Sequence, residues 1–188
     1  MVGHRFNPAK ADKLIDPKRK SLIDSEWVAK KLEFSENANL MDLGAGNGYF
    51  TLPLAELTSG DVYAVDIEPE MLGLLGVRAQ EKNADNIGLI EADLEDIPLG
   101  DHTVDASVAA FVIHEVEDRV KAFREINRIM KPSSQGVIIE WAQVKGESGP
   151  PLHERLNPNT LIQEMKNTGL NLVERIDNND VYMIFFKT

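Results

Sequence analysis

The segment Asn39-Leu40-Met41-Asp42-Leu43-Gly44-Ala45-Gly46-Asn47-Gly48-Tyr49-Phe50 constrains this chain more than any other. An apolar run ending in an acid leads into three glycines at alternate positions, after which Phe50, Leu54 and Leu57 recur at helical spacing. The pattern predicts strand, tight turn, helix. In a parallel α/β sheet such a turn lies at the carboxyl end of its strand, where ligands bind, and glycine lets a ligand approach the backbone without a Cβ in the way. The glycines alone do not select the ligand.

The same unit then repeats. Asp61 to Asp66 is a short apolar strand that again ends in an acid, and Glu68-Pro69-Glu70 starts a helix running to about Lys82, with Gly73 and Gly76 in its interior. Ile87 to Ala92 reads as a third strand, followed by Asp93. Leu94 to Thr103 lacks periodicity, and Pro98-Leu99-Gly100-Asp101 reads as a turn before a strand from Val104 to Phe111. Val116, Val120, Phe123, Ile126 and Met130 mark a helix stopped by Pro132, and Gly136 to Trp141 is the next strand. After a loop from Val144 to Pro151, Asn157-Pro158 opens a helix closed by Gly169, and Leu170 to Ile176 and Val181 to Phe186 flank the hairpin turn Asp177-Asn178-Asn179-Asp180. Ahead of the glycine turn, residues 1 to 23 are polar and interrupted by Pro8 and Pro17, which predicts an irregular arm or broken helix. Asp24 or Ser25 then caps a helix with Trp27, Val28 and Leu32 on one face, and the helix after the glycines is expected from about Tyr49 to Thr58. About seven strands with helices between the early ones give an α/β fold, a doubly wound sheet in a single domain: residues 1 to 36 form the arm and first helix, and 37 to 188 the core.

Composition removes several function classes. The chain has no cysteine, so disulfides, thiolate metal sites and cysteine nucleophiles are excluded. A net charge of -11 opposes binding to a polyanion, and the one basic cluster, Lys18-Arg19-Lys20, reads as a solvated run, so no nucleic-acid partner is expected. No stretch has the roughly 18 apolar residues of a membrane span. A cytoplasmic protein is the expectation.

Asp42, Asp66 and Asp93 each close an apolar strand and are expected at one carboxyl-end crevice. An acid after the second strand suits a ribose, since a carboxylate accepts from both vicinal hydroxyls. The glycine turn departs from the dinucleotide fingerprint: Tyr49 stands where the third glycine of a pyrophosphate turn belongs, and no P-loop lysine is present. Asp42 just before the turn would repel a phosphate and attract a cation.

As a set, Asp42-Leu43-Gly44-Ala45-Gly46-Asn47-Gly48, Val65-Asp66-Ile67, Glu91-Ala92-Asp93-Leu94 and the run Phe123 to Pro132 resemble the ordered motifs of class I S-adenosylmethionine-dependent methyltransferases. His114-Glu115 after the fourth strand is similar to the ubiquinone/menaquinone-methyltransferase-like branch. The resemblance implies a Rossmann-like seven-stranded sheet of order 3-2-1-4-5-7-6 with strand 7 antiparallel, and S-adenosyl-L-methionine as cofactor. It also implies roles: Gly44, Ala45 and Gly46 against the methionyl part, Asp42 near its ammonium group, Asp66 on the ribose, Ile67 on adenine, Asp93 and the Leu94 backbone at the adenine edge, and Ala110 within the segment bordering the sulfonium.

Methyl transfer needs a nucleophile held in line, and proximity supplies much of the rate. A base is needed only for an acceptor that must lose a proton, and His114 or Glu115 is then the leading candidate, with His4 or His153 reaching in from flanking segments. Glu140-Trp141 could shape the acceptor pocket, and Phe6, Phe111 and Trp141 could wall it. Ala109-Ala110-Phe111-Val112 does not match the Asn/Asp-Pro-Pro-aromatic motif of many amide and nucleobase N-methyltransferases. A small-molecule acceptor is favoured, and no metal is expected, because the histidines and acids lack ligand spacing. Two other readings stand at this point: a cofactor-binding protein without catalysis, and a nicotinamide-dependent oxidoreductase.

Overall fold

The computed structural model describes residues 17–144 and 149–188, with side chains from residue 20 onward. The expectations for His4, Phe6 and most of the N-terminal arm, and for part of the loop after strand five, lie outside the described residues.

Two short helices, α1 (Pro17–Leu22) and α2 (Ser25–Lys31), precede β1 (Leu40–Leu43). Asp24 caps α2, accepting from the amides of Glu26 and Trp27 at 3.1 and 3.2 Å. Of the face expected to be apolar, Val28 and Leu32 are buried but Trp27 is 45% exposed. The helix after the glycines, α3 (Thr51–Ala55), is shorter than its periodicity suggests. Then follow β2 (Val62–Asp66), α4 (Pro69–Lys82), β3 (Ile87–Glu91), β4 (Val104–Ala110), α5 (Arg119–Ile129), β5 (Met130–Trp141), α6 (Pro158–Lys166), β6 (Asn171–Asp177) and β7 (Val181–Lys187).

The seven strands form one sheet in the order β3-β2-β1-β4-β5-β7-β6. β7 runs antiparallel to both neighbours, while β1, β2, β3, β4 and β5 pair in parallel. Alternation along each central strand sorts side chains to two faces. Met41, Leu43, Ala109, Ile138, Tyr182, Ile184 and Phe186 join Phe123 and Ile126 of α5 and Leu161 and Met165 of α6 on one side. Leu40, Val108, Val137, Ile139, Met183 and Phe185 join Val28 and Ala29 of α2 and Leu54 of α3 on the other. The core is therefore double, one layer on each side of the sheet.

One boundary differs from the sequence pattern. Pro132 does not separate α5 from a strand starting at Gly136, because β5 begins at Met130. Val104 pairs with Met130 and Ala106 with Gln135, so residues 131–134 bulge out of register, with Ser133 at φ 66°. A proline can occupy a bulge because no ladder bond is required of its nitrogen there.

Candidate cofactor and acceptor site

The parallel strands β1, β2 and β4 end together, and the glycine turn leaves from the central one. Gly44, Gly46 and Gly48 have φ of 68°, 53° and 92°, the left-handed region. At Gly44 a Cβ would also lie 2.6 Å from Cβ and Cγ2 of Val112, so this glycine lets the loop after β4 close against the turn. The turn's amides are engaged inside the protein. Gly44 and Ala45 donate to the Val65 carbonyl at 2.8 and 3.0 Å, Gly48 donates to the Ala45 carbonyl at 3.0 Å, and Gly46 donates to Asp66 Oδ2 at 2.7 Å. Arg78 of α4 donates to the Asn47 carbonyl. A turn whose amides are spent in this way has few left to cradle a phosphate.

The three strand-end acids occupy different environments. Asp66 ends β2 and accepts from Glu68 N at 2.9 Å as well as from Gly46 N. Burial pushes its carboxyl above the usual range, against the pull of the backbone donors of Glu68, Gly46 and Ile67. Asp42 lies within β1 rather than after it, is 1% exposed, and accepts from the Thr51 hydroxyl at 2.6 Å, which ties the first strand to α3. Asp93 falls two residues beyond β3, is exposed, and accepts from Glu95 N at 3.0 Å in a tight turn. Ile67 is half-buried beside Asp66. Ala45 and Leu94 are each 6% exposed and pack into apolar clusters, so at these positions only backbone groups are available to a ligand.

At the end of β4, Ala110 is buried and Phe111 has φ 60°, a conformation costing roughly 1–2 kcal/mol for a residue with a Cβ. It is held by a 2.8 Å bond from its amide to the Ile139 carbonyl and by its ring against Trp141, centroids 4.7 Å apart. Trp141 is enclosed further. Gly149, at φ 87°, lies so close that a Cβ would be 2.6 Å from Trp141 Cδ2, and the Arg155 guanidinium sits 5.6 Å from the ring. Arg155, 6% exposed, donates to the carbonyls of Ala142, Val144 and Pro150, tying the described ends of the loop after β5 together. Of the three aromatic residues expected to wall the pocket, Phe111 and Trp141 are thus brought together, and Phe6 lies outside the described residues.

His114 lies on a single 3-10 turn, Ile113–Glu115, and is 6% exposed. Its Nδ1 is 2.9 Å from Glu140 Oε2 and 3.0 Å from Oε1, while its amide donates to Oε1 at 3.0 Å. Its Nε2 lies 3.7 Å from Glu115 Oε1. Burial alone would lower the imidazole pKa, but the carboxylate of Glu140, with Glu115 and Glu154 beyond it, holds it above the ordinary histidine value. Glu140 itself is fully buried, and Tyr182, its cross-strand partner on β7, is kept protonated by burial and by this carboxylate. His153 is 65% exposed at its side chain and stands 3.6 Å from Glu154.

The role of Glu140 as the partner of His114 is the main feature that sequence reasoning missed. A signal was available: Glu140 is a fourth acid closing an apolar strand, after Gly136-Val137-Ile138-Ile139. Among the described residues, no group of three or more histidine, aspartate or glutamate side chains could hold a metal ion, and no helix is long and apolar enough to cross a membrane.

Comparison with known proteins bears on this geometry. The family described as "Methyltransferase domain" matches residues 41–138. The chain is 31% identical over 126 residues to a ubiquinone/menaquinone biosynthesis C-methyltransferase of Citrifermentans bemidjiense, covering 64% of this chain and 54% of that protein. It is 29% identical over 118 residues to a demethylmenaquinone methyltransferase of Staphylococcus carnosus, covering 62% and 48%. The chain thus spans about half the length of the curated relatives it matches. A crystal structure of a SAM-dependent methyltransferase from Aquifex aeolicus superposes with a TM-score of 0.91 at 27% identity, covering 97% of this chain and 99% of that one.

Proposed function

This chain belongs to the class I S-adenosylmethionine-dependent methyltransferase family, in the ubiquinone/menaquinone-methyltransferase-like branch, and we propose that it transfers the cofactor's methyl group to a small-molecule acceptor. The observation that carries this reading is the internal use of the turn amides around Asp66, because it fits a ligand with a ribose and no phosphate. A carboxylate has about four lone-pair positions, so Asp66 keeps acceptor capacity for the ribose hydroxyls beside the donors it already holds. Gly44 and Gly46 would offer bare backbone to the methionyl part, with Asp42 supporting the turn through Thr51. Ile67 would pack on the adenine, and Asp93 with the Leu94 backbone would border its edge. When bound, S-adenosylmethionine supplies a methyl group already activated by its positive sulfur.

The chain's own residues then hold the acceptor in line and keep water out. Ala110 and the strained Phe111 border the methyl position, and Phe111 and Trp141 wall the acceptor side. His114 takes the acceptor's proton where one must leave, with Glu115 beside it. The net charge of -11 favours a small-molecule acceptor over a nucleic acid.

Calorimetric titration with S-adenosylhomocysteine tests the reading. The wild type should bind, and Asp66→Ala should weaken binding at least about tenfold, roughly 1.4 kcal/mol. A wild type that binds no S-adenosylhomocysteine would sink the proposal.

A further inference from the structure

His114 and Glu140 make a contact that cofactor binding does not need. Glu140 accepts three hydrogen bonds: from the His114 amide at 3.0 Å, from the Trp141 amide at 3.2 Å and from the His114 ring at 2.9 Å. The His114 amide bond would pin the turn after β4 to the end of β5 whatever side chain stood at position 114, while the Trp141 amide bond only holds the carboxylate against its own strand. The ring bond adds something else. A carboxylate can only accept, so Nδ1 carries the proton and, in the neutral ring, Nε2 carries the lone pair.

We propose that Glu140 is a positioning residue that presets His114 as a proton acceptor through Nε2, and that the methyl acceptor is therefore a group that must lose a proton, a hydroxyl, an acidic carbon or an ammonium group, rather than a thiolate. The inference rests on the methyl-transfer reading of the site. A thiolate already presents its electron pair and needs no base, whereas a hydroxyl, a C–H acid or an ammonium group must first give up a proton. In the step, the acceptor's O–H, C–H or N–H bond breaks and its proton goes to Nε2. The freed electron pair forms the bond to the methyl carbon while the methyl–sulfur bond breaks, its pair remaining on sulfur. The proton then leaves His114 toward Glu115, whose side chain is 19% exposed and gives a route to water.

The charged surroundings agree. Glu140 faces the ring from β5, Glu115 from its own turn and Glu154 from the turn at Leu152–Glu154, while Tyr182 beside Glu140 remains a neutral phenol. Three carboxylates stabilise the imidazolium formed during the step, and they disfavour an acceptor that arrives as an anion. Fully burying a carboxylate and an imidazole side by side gains little stability over an apolar pair, which fits a role for the pair in proton transfer.

The test combines long-range nitrogen spectra of the histidine rings with methyl-transfer assays, on the wild type, Glu140→Gln, Glu140→Asp and, for assignment, His114→Gln. In the wild type, His114 should show a protonated Nδ1 and a bare Nε2 above its titration midpoint. Glu140→Gln should lose that tautomer bias and titrate lower, with S-adenosylhomocysteine affinity unchanged within about twofold. Transfer of label from S-adenosylmethionine to a deproteinised small-molecule extract should fall about a hundredfold in kcat in this variant, with KM little changed and the pH profile moved. Glu140→Asp, which keeps the carboxylate, should restore part of both signals, and it decides the matter if the glutamine variant does not fold. The labelled product should be an O-, C- or N-methyl compound. An unchanged tautomer and pH profile in Glu140→Gln overturns the assignment of Glu140, and an S-methylated product overturns the acceptor class. A wild type that binds S-adenosylhomocysteine but labels nothing overturns methyl transfer itself, and the ring spectra still decide the role of Glu140.

Discussion

Replacing Gly44 with alanine imposes two separable costs on the turn. The first is conformational: at φ 68° a Cβ crowds the backbone, which costs roughly 1–2 kcal/mol. The second is steric, because the new methyl would lie 2.6 Å from two carbons of Val112, a residue held between the strained Phe111 and the fully buried Ile113. Overpacking of this kind typically costs about 1–3 kcal/mol. Together they come to roughly 2–5 kcal/mol, and at about 2–4 °C per kcal/mol for a domain of this size the melting temperature should fall by roughly 4–20 °C. Scanning calorimetry reads this directly. The double variant Gly44→Ala/Val112→Gly, measured against Val112→Gly, removes the Cβ as well as the Cγ atoms that the new methyl meets, and should recover the steric part and leave the conformational part of roughly 1–2 kcal/mol. Gly73→Ala is the control: a Cβ there meets nothing within 4 Å in α4, and alanine should raise stability by about 0.5–1 kcal/mol. A Gly44→Ala protein melting within about 2 °C of wild type would refute the reasoning.

Two further outcomes follow from other parts of the molecule. Arg128 donates to Glu125 at 2.9 and 2.5 Å, to Asp101 at 2.7 Å and to the carbonyls of Leu99 and Ile97 at 2.8 and 3.1 Å. Lysine cannot reproduce that fork, so Arg128→Lys should cost about 1–3 kcal/mol in urea denaturation, and an unchanged midpoint would show the network to be dispensable. The His114 pKa is raised in the folded state, so the ion pair's contribution to stability is complete below about pH 6.5, the unfolded value, and is lost as pH rises through the higher folded value. The melting-temperature gap between wild type and His114→Gln should accordingly be widest in mild acid and narrow on the alkaline side, and a gap that widened with pH would contradict the pairing with Glu140.

Much of the fold was legible because local signals agreed with one another. The helix from Pro69 to Lys82 was bounded by proline at its start and polar residues at its end, and the structure keeps both limits. The hairpin at residues 177–180 and the cap at Asn157 rest on turn chemistry that acts within a few residues. Where the reading slipped, non-local pairing decided the outcome. Pro132 is expected to stop a helix ahead of a strand from Gly136, but β5 starts earlier because Met130 pairs with Val104 across the sheet. Trp27 fitted the apolar face of α2 by period, yet it lies outside the layer that Val28 and Ala29 bury.

The candidate site divides in the same way. By itself, the sequence determined that a glycine turn sits at the end of a parallel strand with an acid at the end of the next, because strand ends, glycines and the acid that follows them are set within each βα unit. Only the tertiary structure decided where those groups point. It turned Asp42 toward Thr51, closed the Gly46 amide on Asp66, stacked Phe111 on Trp141, and set Glu140 against His114 across 26 residues of chain. The Asp42–Thr51 bond closes the first βα unit on itself; the other three are contacts between different βα units, whose relative placement depends on sheet order and register, which no single stretch of residues encodes.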